Sequence, residues 1–187
     1  MKPVINFAII LAAVTLFAAC GNTQKPAEAD PHAGHNHAQG EGHTAPTEQA
    51  TAGVSIKDDK LNAVYQHYIH LSTALVNEDV AEAKVAASAI ELGAKELTGG
   101  TALVTLASKI TTGADIEAQR TVFSDLSNDF IARVKASGLN SGEVYVEYCP
   151  MALHDKGASW LSNKKEIRNP YFGESMMTCG EVKEIIK

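Results

Sequence analysis

Beyond Lys57 the apolar residues of this chain fall into helical registers. Leu61, Val64 or Tyr65, Tyr68, Leu71 or Ser72, and Leu75 recur at steps of three and four, which lines them along one side of a first helix. Asn77-Glu78-Asp79 interrupts the run, after which Val80, Ala83, Ala87, Ile90, Ala94 and Leu97 repeat with heptad-like spacing. Small side chains dominate this second stripe, so it suits close packing against a neighbour. Thr98-Gly99-Gly100 ends it. A shorter third segment runs from Thr101 to Ile110 and closes at Thr111-Thr112-Gly113. Asp115 is placed to cap a fourth helix that carries Ile116, Phe123, Leu126, Phe130 and Val134 on one face. Short connections make successive helices antiparallel, and the pattern predicts an all-α fold, an up-down four-helix bundle.

The helical period is lost after Ser137-Gly138-Leu139-Asn140-Ser141-Gly142. Val144-Tyr145-Val146-Glu147-Tyr148 reads as a short extended stretch. From Cys149 to Gly180 the chain is too dense in Gly, Pro and aromatic residues for one long helix, and it is expected to be an irregular, Cys/Met-rich segment pinned to the bundle by Trp160, Tyr171 and Phe172. The last residues, Gly180 to Lys187, are expected to pack as a terminal helical turn.

The amino end has a different character. Lys2 precedes an apolar run from Val4 to Phe17 that stops at Ala18-Ala19-Cys20, the pattern of a lipoprotein signal peptide over residues 1–19, with Phe17 standing where Leu is commoner. The run is too short for a transmembrane helix. Lipidation of Cys20 then anchors the mature chain to a membrane outside the cytoplasm, and the periplasmic face of the outer membrane is the expected location. Residues 20–55 have no core-forming pattern and are expected to be a disordered, His-rich tether, leaving residues 56–187 as one domain. His32, His35, His37 and His43 in that tether form a cluster of imidazoles able to capture divalent metal weakly, or simply a solvated polar linker. The formal net charge of −6 argues against nucleic acid as a partner.

Sulfur carries the chemistry. Apart from Met1 and Cys20, every Cys and Met lies between Cys149 and Cys179, namely Cys149, Met151, Met176, Met177 and Cys179. Thiolate with thioether is the donor set that Cu(I) prefers, whereas Zn2+ gains little from methionine. In an extended segment Met151 shares a side with Cys149 and Met177 with Cys179; in a helical one Met176 becomes the neighbour of Cys179. His154 is a further donor close by. The two cysteines are alternatively a disulfide candidate that staples the loop, the default for an even number of thiols in an oxidising compartment. His67 and His70 share a helix face and read as partly exposed residues or a second metal pair. Arg120 offers a planar fork of donors for a carboxylate or for loop backbone. There is no phosphate loop, no nucleophile elbow and no zinc-protease helix, so no enzyme activity is expected.

The strings Tyr148-Cys149-Pro150-Met151-Ala152, Gly157-Ala158-Ser159-Trp160-Leu161-Ser162, Ile167-Arg168-Asn169-Pro170-Tyr171-Phe172-Gly173 and Met176-Met177-Thr178-Cys179-Gly180 carry a resemblance. With Ile116-Glu117-Ala118-Gln119-Arg120 and the first helix, they make residues 58 to 187 resemble a bacterial periplasmic family known only as domain-of-unknown-function family 3347. The resemblance implies helical domains found alone as lipoproteins or fused to the periplasmic adaptors of copper and silver efflux systems. The combined expectation is a lipid-anchored domain that binds copper, as Cu(I), for resistance, buffering or delivery to a heavy-metal efflux adaptor. The alternative is a disulfide-stapled module that docks on such an adaptor without binding metal. A thiol-disulfide redox protein is a weaker alternative, because the cysteines are not in a Cys-x-x-Cys arrangement.

Overall fold

The computed structural model describes residues 53–187, and the signal peptide, Cys20 and most of the expected tether lie outside them. A two-residue strand β1 (Ser55–Ile56) leads into α1 (Asp59–Val76), α2 (Val80–Ala94), α3 (Thr101–Thr112) and α4 (Ile116–Ser137). Then come β2 (Leu139–Ser141), β3 (Val144–Cys149), β4 (Ala158–Ser162) and β5 (Glu181–Ile186). Ile56, the first residue of the expected domain, is fully buried.

The four expected helices are present, and aspartates start three of them. Asp58, Asp79 and Asp115 accept from the backbone N–H groups of Leu61, Glu82 and Ala118 at 2.9, 2.9 and 2.8 Å, satisfying donors that the first helical turn leaves free. The alanine seam of α2 is buried as its spacing requires, with Ala83, Ala86, Ala87 and Ala94 closed off beside Ile90.

The all-α architecture is not what forms. Two antiparallel sheets accompany the helices: β1 pairs with β2, and β3 lies at the centre of a three-stranded sheet in the order β4-β3-β5. The carboxy-terminal segment is therefore regular in part, and the expected terminal helical turn is the strand β5. Six residues are too few to repay helix nucleation, and pairing with β3 satisfies their backbone groups instead. Consecutive helices pack on one another, while α1 and α4 meet through side chains and β4 packs on α4. The sheet thus supplies core that a closed four-helix bundle would have made for itself.

An aromatic chain joins the two halves. The Tyr68 ring lies 4.6 Å from Phe130 and 5.5 Å from Phe123, Phe123 lies 5.7 Å from Tyr171, and Tyr171 lies 5.9 Å edge-on from Trp160. Such spacings suit tilted and offset ring pairs. The Tyr68 hydroxyl pairs with Ser127 at 2.9 Å and accepts from the Leu161 backbone N–H at 2.9 Å, so this helix residue also positions the edge of β4.

Arg120 is the second junction. It is 4% exposed, yet it donates through Nε to Pro170 O at 2.9 Å, through Nη1 to Glu117 at 2.9 Å, and through Nη2 to Glu78 at 3.1 Å and Leu75 O at 3.3 Å. One guanidinium therefore ties α4 to the end of α1 and to the loop before Tyr171, serving both roles its geometry suggests. Gly173 sits against this cluster with φ +56, and a Cβ there would come 2.7 Å from Glu78 Oε1. Arg120→Met is expected to cost on the order of 2–4 kcal/mol in chemical denaturation, because the buried Pro170 carbonyl loses its donor and Glu78 and Glu117 lose their cation. Glu117→Gln, at a largely exposed carboxylate, should cost under about 1 kcal/mol. Equal stability of Arg120→Met and the parent would contradict this role.

Glu147 is a buried carboxyl in the core. It is fully buried on β3 opposite Trp160, and neither carboxylate oxygen has a hydrogen-bond partner among the described residues. Burial pushes its carboxyl up to about 8, with the Trp160 side chain opposing the shift in part. The group is neutral in both states below about pH 4.5, where its contribution to stability is complete. As pH rises from there through about 8, only the unfolded chain releases the proton readily, and stability is lost at up to about 1.4 kcal/mol per pH unit. Unfolding free energies measured from pH 5 to 9 should show that decline, and Glu147→Gln should flatten it; an unchanged slope in the variant would rule the assignment out.

Candidate metal centre

Strand pairing builds the sulfur site. In the β3–β5 ladder Tyr148 faces Glu181, so the residues just beyond that pair, Cys149 at the end of β3 and Cys179 ahead of β5, are brought together. Their Sγ atoms lie 2.7 Å apart although the residues are 30 positions apart in sequence. Cys149 is fully buried, whereas Cys179 is half-buried, so the pair is open to solvent on one side only.

Asn169 holds the Cys179 side of the pair. It is fully buried; its side-chain N–H donates to Cys179 O at 2.7 Å, and its backbone N–H donates to Met177 O at 2.8 Å. Its Oδ1 accepts from the Tyr171 backbone N–H at 2.8 Å, and its carbonyl accepts from the Gly173 N–H at 3.0 Å. A 3-10 turn over Gly173–Met176 follows, and the Cys179 N–H closes a further turn onto Met176 O at 3.0 Å. Gly180 then passes close to the core with φ +142, where a Cβ would lie 3.0 Å from both the Trp160 ring and Tyr148 O.

The methionines divide. Met176 and Met177 are half-buried on the turn that leads to Cys179, and the backbone bond from Cys179 to Met176 matches the helical rather than the extended alternative for that segment. Met151 is 47% exposed and lines a different feature, a groove of about 460 Å³ shared with His154, Glu117, Tyr171 and Phe172. Neither cysteine lines that groove. Leu153, His154 and Asp155 all have φ near +60, a left-handed turn that carries His154 outward into solvent. Among the described residues, no third Cys, His, Asp or Glu joins the thiol pair. His70 is engaged by Glu82 at 2.7 Å, and His67 is exposed on the same helix. His32, His35, His37, His43 and Cys20 lie outside the described residues.

Asn169 and Glu147 escaped the sequence reading. Asn-Pro in a loop is an ordinary turn signal, and nothing local marks this asparagine as the clamp of a cysteine ten residues on. Glu147 lies within a run read as an extended stretch, where a carboxylate is normally solvent-facing.

The Cys149 side chain raises the cost of ionising the Cys179 thiol. The hydrogen bond with Cys149, followed by burial and then the charge of Cys149, pushes the Cys179 thiol up to about 11. A metal ion would have to displace a proton held this firmly on Cys179, and alkylating reagents should react slowly with that thiol at neutral pH. In reduced protein, Cys149→Ala is expected to bring the midpoint of the Cys179 alkylation profile from about 11 down towards 9. A profile unchanged by the substitution would show that the two sulfurs do not interact in solution.

A family model described as "Protein of unknown function (DUF3347)" matches residues 64–142. The match supports the likeness to that family over α1 to β2 and ends before β3, so both cysteines and the motifs around them lie beyond it. No curated protein and no solved structure matches the chain.

Proposed function

We propose that the domain binds copper as Cu(I) through Cys149 and Cys179, with a thioether from Met176 or Met177, and acts in metal resistance, buffering or delivery to a heavy-metal efflux system. The observation that supports this most is the meeting of two cysteines 30 positions apart at 2.7 Å, one side open to solvent and next to a turn rich in methionine. Two thiols with thioethers close in the chain form a soft donor set, and soft ligands favour Cu(I) over harder divalent ions. In this reading copper is cargo, no catalytic residue is assigned, and Cys20 is the lipid attachment that holds the protein at a membrane facing the periplasm. The His-rich stretch with His32, His35, His37 and His43 would add weak capture of divalent ions ahead of the sulfur site. Met151 and His154 have a lesser part, since they line a groove that excludes both thiols.

A second reading rests on the same distance. A disulfide needs a sulfur separation of about 2.05 Å, and 2.7 Å is close enough for oxidation to close it with little backbone movement. The pair would then staple the Asn169 turn to β3, and the domain would serve as a metal-free interaction module for an efflux adaptor.

Competition titration with a Cu(I) chelator separates the two. Reduced protein is expected to retain Cu(I), Cys149→Ser with Cys179→Ser to lose it, and Met176→Leu or Met177→Leu to weaken it several-fold without a change in helicity, as suits a neutral and weaker donor. A double-Ser variant that holds Cu(I) as well as the parent would defeat the copper reading. Loss of about 2–4 kcal/mol on replacing either cysteine in oxidised protein, with no Cu(I) retained by the reduced form, would establish the staple in its place.

A further inference from the structure

One side of α1 borders a cleft of about 190 Å³ against the end of β4 and the loop that follows it. Its floor is apolar, from Ile69, Val76 and Leu161, and its rim carries Lys164 and Arg168 against the single carboxylate of Glu166. Two cations in excess of one anion are notable in a chain of net charge −6.

The arginines differ in how their donors are used. Arg120 and Arg133 spend theirs on carboxylates and backbone carbonyls. Arg168 and the Lys164 ammonium make no hydrogen bond or ion pair among the described residues, and both border the cleft. Ser72, on the same wall and 9% exposed, likewise has an uncommitted hydroxyl among the described residues.

The loop bearing the cations is anchored. The buried Tyr65 donates its hydroxyl to Asn163 Oδ1 at 2.6 Å, and Ser162 Oγ both donates to Lys164 O at 2.8 Å and accepts from the Lys164 N–H at 3.0 Å. Binding an anion there would therefore order little new backbone, the condition under which charge-assisted hydrogen bonds yield affinity. A planar guanidinium beside an apolar floor matches a flat carboxylate attached to an apolar body.

We propose that this cleft binds a small organic carboxylate, its anionic end on Arg168 and Lys164 and its apolar body on Ile69, Val76 and Leu161. Neither cysteine lines the cleft, and the proposal does not rest on copper binding.

Benzoate is the probe, with benzyl alcohol as its neutral counterpart, titrated against the full-length chain and followed by amide NMR shifts of the residues lining the cleft. Saturable benzoate binding is expected, about tenfold weaker in Arg168→Ala and weakened also in Lys164→Ala, with benzyl alcohol weaker than benzoate by a similar factor. Both substituted side chains are exposed, so the fold should survive, and Lys109→Ala on α3 serves as a charge control with unchanged affinity. The proposal is overturned by no saturable shift up to roughly 10 mM benzoate. It is equally overturned by unchanged affinity in Arg168→Ala, by equal weakening in Lys109→Ala, or by benzyl alcohol binding as tightly as benzoate.

Discussion

Burying a guanidinium requires that nearly every donor be satisfied, and Arg120 meets that demand by reaching three parts of the chain at once. Its contacts with Leu75 O and Glu78 fix where α1 ends, and its contact with Pro170 O fixes where the loop after β4 touches the helices. With the Phe123–Tyr171 ring contact, that junction fixes the Asn169 turn against α4. Asn169 clamps Cys179 through the Cys179 carbonyl, so the placement of the half-buried thiol traces back to a charge buried in a helix.

The other half of the sulfur pair is placed by sheet pairing. Cys149 ends the central strand, flanked by β4 on one side and β5 on the other, and is fully buried there. Tyr68 sets the edge of that sheet by accepting from the Leu161 N–H, while its ring stacks among the phenylalanines of α4. Helix packing and strand register therefore converge on the two sulfurs, one rigidly enclosed and the other on a turn near the surface. The half-buried Cys179 thiol is thus the one that solvent reaches, while the buried Cys149 is held in the sheet.

Much of the helical layer was legible in the sequence because its signals are local. The apolar steps from Leu61 to Leu75, the alanine seam of α2 and the Asp115 cap each act within one or two helical turns. The strands were less legible. β3 showed its alternation, but β4 is five residues of Ala, Ser, Trp, Leu and Ser amid turn signals, and β5, Glu181–Ile186, has charges and apolar residues that suit a helix equally well. Both are strands because β3 lies between them, a non-local fact that no window of sequence carries. Cys149 and Cys179 were recognisable as candidates from residue type alone, whereas their contact, and the separation of Met151 and His154 from it, depended on that sheet.

Copper binding requires that the two sulfurs be reduced in the protein as the cell makes it. Native mass spectrometry on chain isolated from the cells that make it, without added reductant and with thiols capped at lysis, reads that state directly. A copper-bearing species whose two thiols become cappable only after the metal is removed is the expected result. A metal-free species two hydrogens lighter than the reduced chain, with neither Cys149 nor Cys179 capped, would contradict it.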